Sequence, residues 1–488
     1  MQLLSNHISL MNGWVPMTVE AVTAIALGLA VGWRSHRWRL LWLPLAALMG
    51  GVAAGGAHWY IAAAGLPSQP APRTLYVWIA LAGTAAAVLI LGWRGARWWR
   101  RGVSILCLPL CLLCSLLVLN QWVGYVQTVQ SAWDQLTSAP LPDQTDKATV
   151  TAMAAKGARP SRGRLVPVLI PSDASHFKHR EELVYLPSAW FASSPPPQLP
   201  TVMMIGGMIN TPADWVRAGN AVDTIDAFAA AHGGSAPVLV FVDPGGAFDN
   251  DTECVNGSRG NAADHLTKDV VPYVISNFGV NPDPSHWGIV GFSMGGTCAV
   301  DLTVMHPTLF STFVDIEGDL TPNTGTKAQT IAGLFGGNAD AWAAFDPTTV
   351  ISRHRRYTGV SGWFAISPGS SPMPHRDITV VDTAAMALAG RGAGADPGNQ
   401  AAAAASLCAL GRANGIDCAV VAQPGKHDWP TAGTAFATAL PWLAGQLRTP
   451  DLARIPLPGV PSAPAGSDRA GTDAAHTNRT EVVGHDQR

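Results

Sequence analysis

The hydrophobic pattern of the chain changes character once, near residue 127. Before that point four long apolar runs, at about 13–33, 40–64, 74–93 and 103–126, are separated by short polar loops. Each reaches the roughly 20 residues that a helix needs to cross a hydrocarbon core of about 30 Å. Helices of soluble bundles keep a polar face, and these runs have none, so the pattern predicts an all-α, four-helix transmembrane module over 1–126. A polar stretch with scattered prolines follows over 127–163 and reads as a helical extension and a linker. From there short β-branched runs alternate with helix-like stretches. "RLVPVLIP" and "ELVYLP" predict an opening antiparallel pair, and "LPTVMMIGG", "PVLVFVDP", "HWGIVGFS", "TFVDIEG", "GWFAIS" and "DCAVVAQPG" predict further strands. Strands alternating with helices imply an α/β domain over 164–449, a mostly parallel eight-stranded sheet with helices on both faces. Residues 450–488, rich in Pro, Gly, Ala and charge and without apolar period, are expected to be a disordered tail.

Charge divides the chain at the same place. Residues 1–126 hold eight arginines, no lysine and one acidic residue, Glu20, a balance of +7; the whole chain is −2, so the remainder carries −9. Arg34, Arg37 and Arg39 follow the first run and Arg94, Arg97, Arg100 and Arg101 follow the third. By the positive-inside rule those two loops are cytoplasmic, which puts the N-terminus and the α/β domain on the extracytoplasmic side. A cleaved signal peptide does not fit, because no basic segment precedes the first run. Glu20 is either a functional intramembrane carboxylate or one that reaches water.

Cysteine usage agrees with that topology. Cys107, Cys111 and Cys114 fall in the fourth run, whereas Cys408 and Cys418 flank "ALGRANGID" in the outward part and are expected to form a disulfide, two buried thiols being the alternative. Cys298 reads as a core residue. "DNDTEC" opens like a calcium loop, but Cys254 stands at its sixth position and Gly260 at its twelfth. No H-E-x-x-H, Walker loop or dinucleotide fingerprint occurs, so no metal and no cofactor are expected. The acidic outer part argues against nucleic acid as a partner.

Chemistry concentrates in "HWGIVGFSMGGTCAV". Ser293 ends a strand and begins a helix, and Gly291, Gly295 and Gly296 permit the sharp turn that presents a nucleophilic hydroxyl. A serine needs a base, and "QPGKHDWP" places His427 after the last strand; His354 and His375 are the weaker alternatives, whereas His306, in "MHPTLF", reads as a structural cap at a helix end. The orienting acid is expected after "GWFAIS", at Asp377 or, failing that, Asp382. The amides of Met294 and of Met208, in "GGMIN", are the expected oxyanion donors.

With "DPGGAFDNDTECVNG", "VGFSMGG", "HPTLF" and "PGKHDWP" in this order, residues 165–447 resemble the esterase family that includes the antigen 85 mycolyltransferases and esterase D. The resemblance implies the α/β-hydrolase fold and the roles just given for Ser293, His427, Met294 and Met208. Antigen 85 enzymes carry an Asp and an Arg around the oxyanion loop that help bind trehalose; Gly206 and Ile209 stand in the matching region here, so that acceptor is not implied. The usual glutamate after the seventh strand has no clear match in "SPGSSPMPHRD". The expected function is a membrane-anchored, extracytoplasmic serine esterase or acyltransferase acting on a lipid or small-molecule ester. The alternative is a non-catalytic binding or scaffolding domain of the cell envelope.

Overall fold

The computed structural model describes residues 8–63, 71–137, 139–367, 379–380 and 399–459. Helices α1 (Trp14–Val31), α2 (Leu43–Ala63), α3 (Arg73–Gly92) and α4 (Trp98–Val123) are each long and apolar enough to cross a membrane. A Cβ at Gly50 of α2 would lie 2.2 Å from the Ala80 carbonyl oxygen of α3, so these two backbones touch where small residues let them. Between α1 and α4 the Cys114 thiol donates to Thr23 Oγ1 at 3.3 Å. At the arginine-rich end Arg34 donates to the Gly92 carbonyl at 3.0 Å and lies 4.2 Å from the centroid of the Trp38 ring. The outward faces are apolar: Leu29, Ile90 and Leu116 are all exposed, which water would not tolerate over so many turns.

The α/β part is built on one sheet. Its strands are β1 (Arg164–Val168), β2 (Glu182–Leu186), β3 (Thr201–Ile205), β4 (Val238–Val242), β5 (Trp287–Phe292), β6 (Thr312–Ile316), β7 (Ser361–Ile366), β8 (Thr379–Val380) and β9 (Asp417–Ala422). The spatial order is β1-β2-β4-β3-β5-β6-β7-β9-β8. This is the mostly parallel eight-stranded sheet of the α/β-hydrolase fold, with the two-residue β8 added antiparallel at the far edge. β1, β2 and β4 pair antiparallel, and β4, β3, β5, β6, β7 and β9 are parallel. Central strands are buried on both faces, which is why they read as unbroken apolar runs. Alternate residues feed two cores: Met203, Ile289, Phe313 and Val420 on one face, Met204, Val290, Val314 and Val421 on the other.

Register fixes where the site falls. Ile205 pairs with Gly291, Gly291 with Asp315, and Ile316 with Ala365, so the loops after β3, β5 and β6 leave side by side at the carboxyl edge, the usual ligand edge of such sheets.

Two stretches depart from expectation. The stretch read as a helical extension carries helix α5 (Val129–Leu136), but the linker expected after it holds a second helix, α6 (Lys147–Ala155), whose Val150 packs into the core because Val150, Met153 and Ala154 supply an apolar face. The expected tail begins packed: Gln446 Nε2 donates to the Ile455 carbonyl at 3.0 Å, Arg454 Nε donates to Gln446 Oε1 at 2.7 Å, and Leu457 buries against the core. Residues 460–488 lie outside the described residues.

The helical module and the α/β part meet at Gly124–Gln127. Tyr125 donates to Asp214 Oδ1 at 2.5 Å, and Gln127 Nε2 donates to the Ala218 carbonyl at 3.0 Å. Burial pushes the Asp214 carboxyl above its ordinary range despite bonds from Tyr125 and Thr211. Tyr125→Phe leaves that buried carboxyl short of a donor, an expected loss of about 1–3 kcal/mol. A lower melting temperature of the full chain in detergent is the measurement that checks it.

Candidate active site

The loop between β5 and α7 (Met294–Met305) is held in a conformation that side chains rarely adopt. Ser293 sits at φ 58 and ψ −123. Glycine surrounds it for steric reasons: a Cβ at Gly291 would lie 1.7 Å from the Gly295 carbonyl oxygen, and one at Gly295 would lie 2.3 Å from that of Ile205. The Ser293 N–H donates to the Ile316 carbonyl at 2.9 Å, and its own carbonyl accepts from Gly296 N–H at 2.8 Å. The hydroxyl thus stands at the head of a helix, over the carboxyl edge of the sheet.

His427 comes from the loop between β9 and α9 (Trp429–Gln446). Its Nε2 is 2.9 Å from Ser293 Oγ. Its ring lies 4.9 Å from that of Phe292, which in turn lies 5.2 Å from Trp429, and Trp429 meets Trp215 edge-on at 5.2 Å. Asp428 caps α9 through Thr431 N–H at 3.0 Å, so the residue after the histidine is fixed as well.

The carboxylate at the other ring nitrogen is Glu317, whose Oε2 is 2.7 Å from His427 Nδ1. Glu317 is buried and also has positive φ, 54°, and its N–H donates to the Ala365 carbonyl at 2.9 Å. The expected acid, Asp377, and its alternatives Asp382 and His375 lie outside the described residues. Sequence reasoning passed over Glu317 by searching only after the seventh strand. The available signal was "DIEG", an acid just past the end of β6, the strand paired to the nucleophile strand. Of the other histidines, His306 is at the end of α7 and His354 stacks on Tyr357 at 3.9 Å.

The loop after β3 passes beside Ser293: a Cβ at Gly207 would lie 3.5 Å from Ser293 Cβ. The Gly207 N–H is committed to Asn210 Oδ1 at 2.8 Å, which leaves Met208 as the next amide in the turn. Arg180 anchors this loop, donating to the Asn210 carbonyl at 2.8 Å while pairing with Asp243 at 2.7 Å. Burial would raise the Asp243 carboxyl, but Arg180 outweighs it and holds it below the ordinary range.

Two disulfides brace the surroundings. Cys408 of α8 (Gln400–Ala413) and Cys418 of β9 are joined at 2.01 Å. Cys298, expected only as a core residue, is both buried and bonded to Cys254, which ties the "DNDTEC" loop to α7. In that loop burial pushes Asp251 up to about 6, and burial together with Asp251 raises Glu253 well above the usual carboxylate range.

Among the described residues, His179, Glu182 and His265 form the group whose spacing would admit a metal ion. Their nitrogens are already occupied: His179 faces the Arg180 and Ile170 carbonyls at 2.8 and 2.7 Å, and His265 faces Asp269 and Glu182 at 3.3 and 3.2 Å. Burial lowers the His265 pKa, but Glu182 and Asp269 outweigh it and the net direction is up. A raised folded value means stability that is fully present below about pH 6.5 and lost as pH rises through the folded value. The melting-temperature gap between wild type and His265→Gln is therefore expected to be widest at pH 6 and to shrink toward pH 9.

A strained serine, a histidine on its hydroxyl and a carboxylate behind the histidine, on an α/β-hydrolase sheet, define the serine-hydrolase class. The Esterase family model matches residues 178–443, more than half of the chain, and the chain belongs to that family. An uncharacterized protein of Corynebacterium glutamicum is 35% identical over 195 residues, 39% of this chain and 46% of that protein. The chain thus matches less than half the length of that relative. Among solved structures, it is similar to an S-formylglutathione hydrolase from Agrobacterium tumefaciens (15% identity, 59% of this chain, 97% of that one, TM-score 0.44). It is also similar to MPT51 of Mycobacterium tuberculosis (20% identity, 58% of this chain, 100% of that one, TM-score 0.37).

Proposed function

We propose that this esterase-family enzyme is a membrane-anchored serine esterase or acyltransferase, with Ser293 as nucleophile, His427 as general base and acid, and Glu317 as the orienting carboxylate. The observation that carries the reading is the 2.9 Å contact of His427 Nε2 with Ser293 Oγ, backed by Glu317 at 2.7 Å from Nδ1. His427 takes the hydroxyl proton as Oγ attacks the ester carbonyl, and passes it to the leaving alkoxide as the C–O bond breaks. The amides of Met294 and Met208 receive the tetrahedral oxyanion. Water or an acceptor hydroxyl then releases the acyl group by the same steps in reverse.

The four apolar helices support anchoring, and their arginine-rich loops support an extracytoplasmic α/β part. Cys254–Cys298 and Cys408–Cys418 support the same side, since disulfides persist where the medium is oxidising. An ester reached from the bilayer surface is the substrate class that this placement favours. A phosphatase reporter fused after Gly459 is expected to be active; activity only of a reporter that works in the cytoplasm reverses the orientation.

Full-length protein in detergent is expected to hydrolyse p-nitrophenyl esters and to be labelled by a fluorophosphonate. Ser293→Ala should abolish labelling, and Glu317→Gln should lower kcat by about 10⁴-fold with the protein still folded. Unlabelled, folded wild-type protein would favour the binding-domain alternative, and an unaffected Glu317→Gln enzyme would return the acid to Asp377.

A further inference from the structure

A cavity of about 700 Å³ lies at the junction of the helical module and the α/β part. Its lining comes from both: Ser9 and Asn12 precede α1, Gln121 ends α4, Gln127 follows it, and Lys426 and Thr434 belong to the loop before His427 and to α9. The segment before α1 is held in place by pairing, Leu10 N–H donating to the Gln127 carbonyl at 2.9 Å and Val129 N–H to that of Ile8 at 3.0 Å. Gly124 packs so closely that a Cβ there would lie 2.7 Å from Pro430 Cδ. The cavity is therefore a built feature of the joint.

Its chemistry is that of a polar head-group site. Amide and hydroxyl side chains line it, at the level where α1 begins and α4 ends, next to the apolar faces that lipid chains would cover. Two charged side chains reach it. Asp428 is committed to Thr431, at 3.0 Å to the N–H and 2.7 Å to the hydroxyl. Lys426 is exposed, and its ammonium has no hydrogen bond or ion pair among the described residues. The lining thus holds one cation and one anion, but the Asp428 carboxylate is turned to Thr431 while the Lys426 ammonium has no ion pair among the described residues and is surrounded by hydrogen-bonding groups, an arrangement that can take a phosphate.

We propose that this cavity binds the phosphate-bearing head group of a membrane lipid, with Lys426 as its charge partner and Asn12, Gln121 and Thr434 bonding the remaining oxygens. The lipid chains then lie along α1 and α4. The occupant borders the loop that carries His427, so the site adjoins the catalytic machinery without including it. The assignment rests on the membrane anchoring proposed above and is independent of the acyl-transfer chemistry.

The test is calorimetric titration of the full chain in a nonionic detergent with monomeric dihexanoylphosphatidylglycerol, with glycerol 3-phosphate and octyl glucoside as separate arms. Saturable binding of the lipid is expected, weakened by about tenfold in Lys426→Gln and weakened in Asn12→Ala. Ser293→Ala is expected to bind as wild type, which separates this result from any failure of the serine chemistry. Absence of saturable lipid binding, binding unchanged in Lys426→Gln, or equal binding of octyl glucoside overturns the proposal. Glycerol 3-phosphate binding as tightly as the lipid assigns the cavity to a soluble phosphate and overturns the lipid assignment.

Discussion

The site depends on one backbone constraint, the turn that holds Ser293 in positive φ between β5 and α7. Such a conformation costs about 1–3 kcal/mol and persists only where its surroundings leave no alternative. Here the Ser293 N–H is locked to Ile316 on the neighbouring strand, and Gly291 and Gly295 are packed against backbone with no room for a methyl group. The hydroxyl is raised above the sheet because everything beneath it is filled.

The other members reach that hydroxyl through packing rather than through loops alone. Phe292, Trp429 and Trp215 form a chain of rings from β5 to α9 and to the helix Asp214–Arg217. Rings packed in this way are stiff, well-defined spacers, so the loop that carries His427 and the loop after β3 share one ruler. The Cys254–Cys298 bond adds a covalent tie between α7 and the loop that follows β4.

Much of this was legible in the sequence because it is written in local signals. The strands are unbroken apolar runs, the elbow is a glycine pattern, and His427 stands in a short loop between a strand and a capped helix. Glu317 was not legible in the same way. Which strand end faces a histidine 110 positions later is a matter of strand order, β6 lying beside β5, and order is a long-range property. Cys298 was missed for the same reason: its partner is 44 residues away on another element, whereas Cys408 and Cys418, ten apart, sit on one helix–strand turn. The packed segments around Val150 and Leu457 were hidden by their polar neighbours.

Tyr125 has a consequence for how the gene can be dissected. It stands just after the last apolar helix, where a soluble version of the enzyme would naturally be made to start, yet its hydroxyl serves Asp214, whose other oxygen receives the Thr211 N–H at the end of the loop after β3. A truncation that removes the helices and Tyr125 with them is therefore not a neutral trimming. It deletes a hydrogen-bond donor from the scaffold of the active site, and a sluggish soluble fragment would report on the cut rather than on the enzyme.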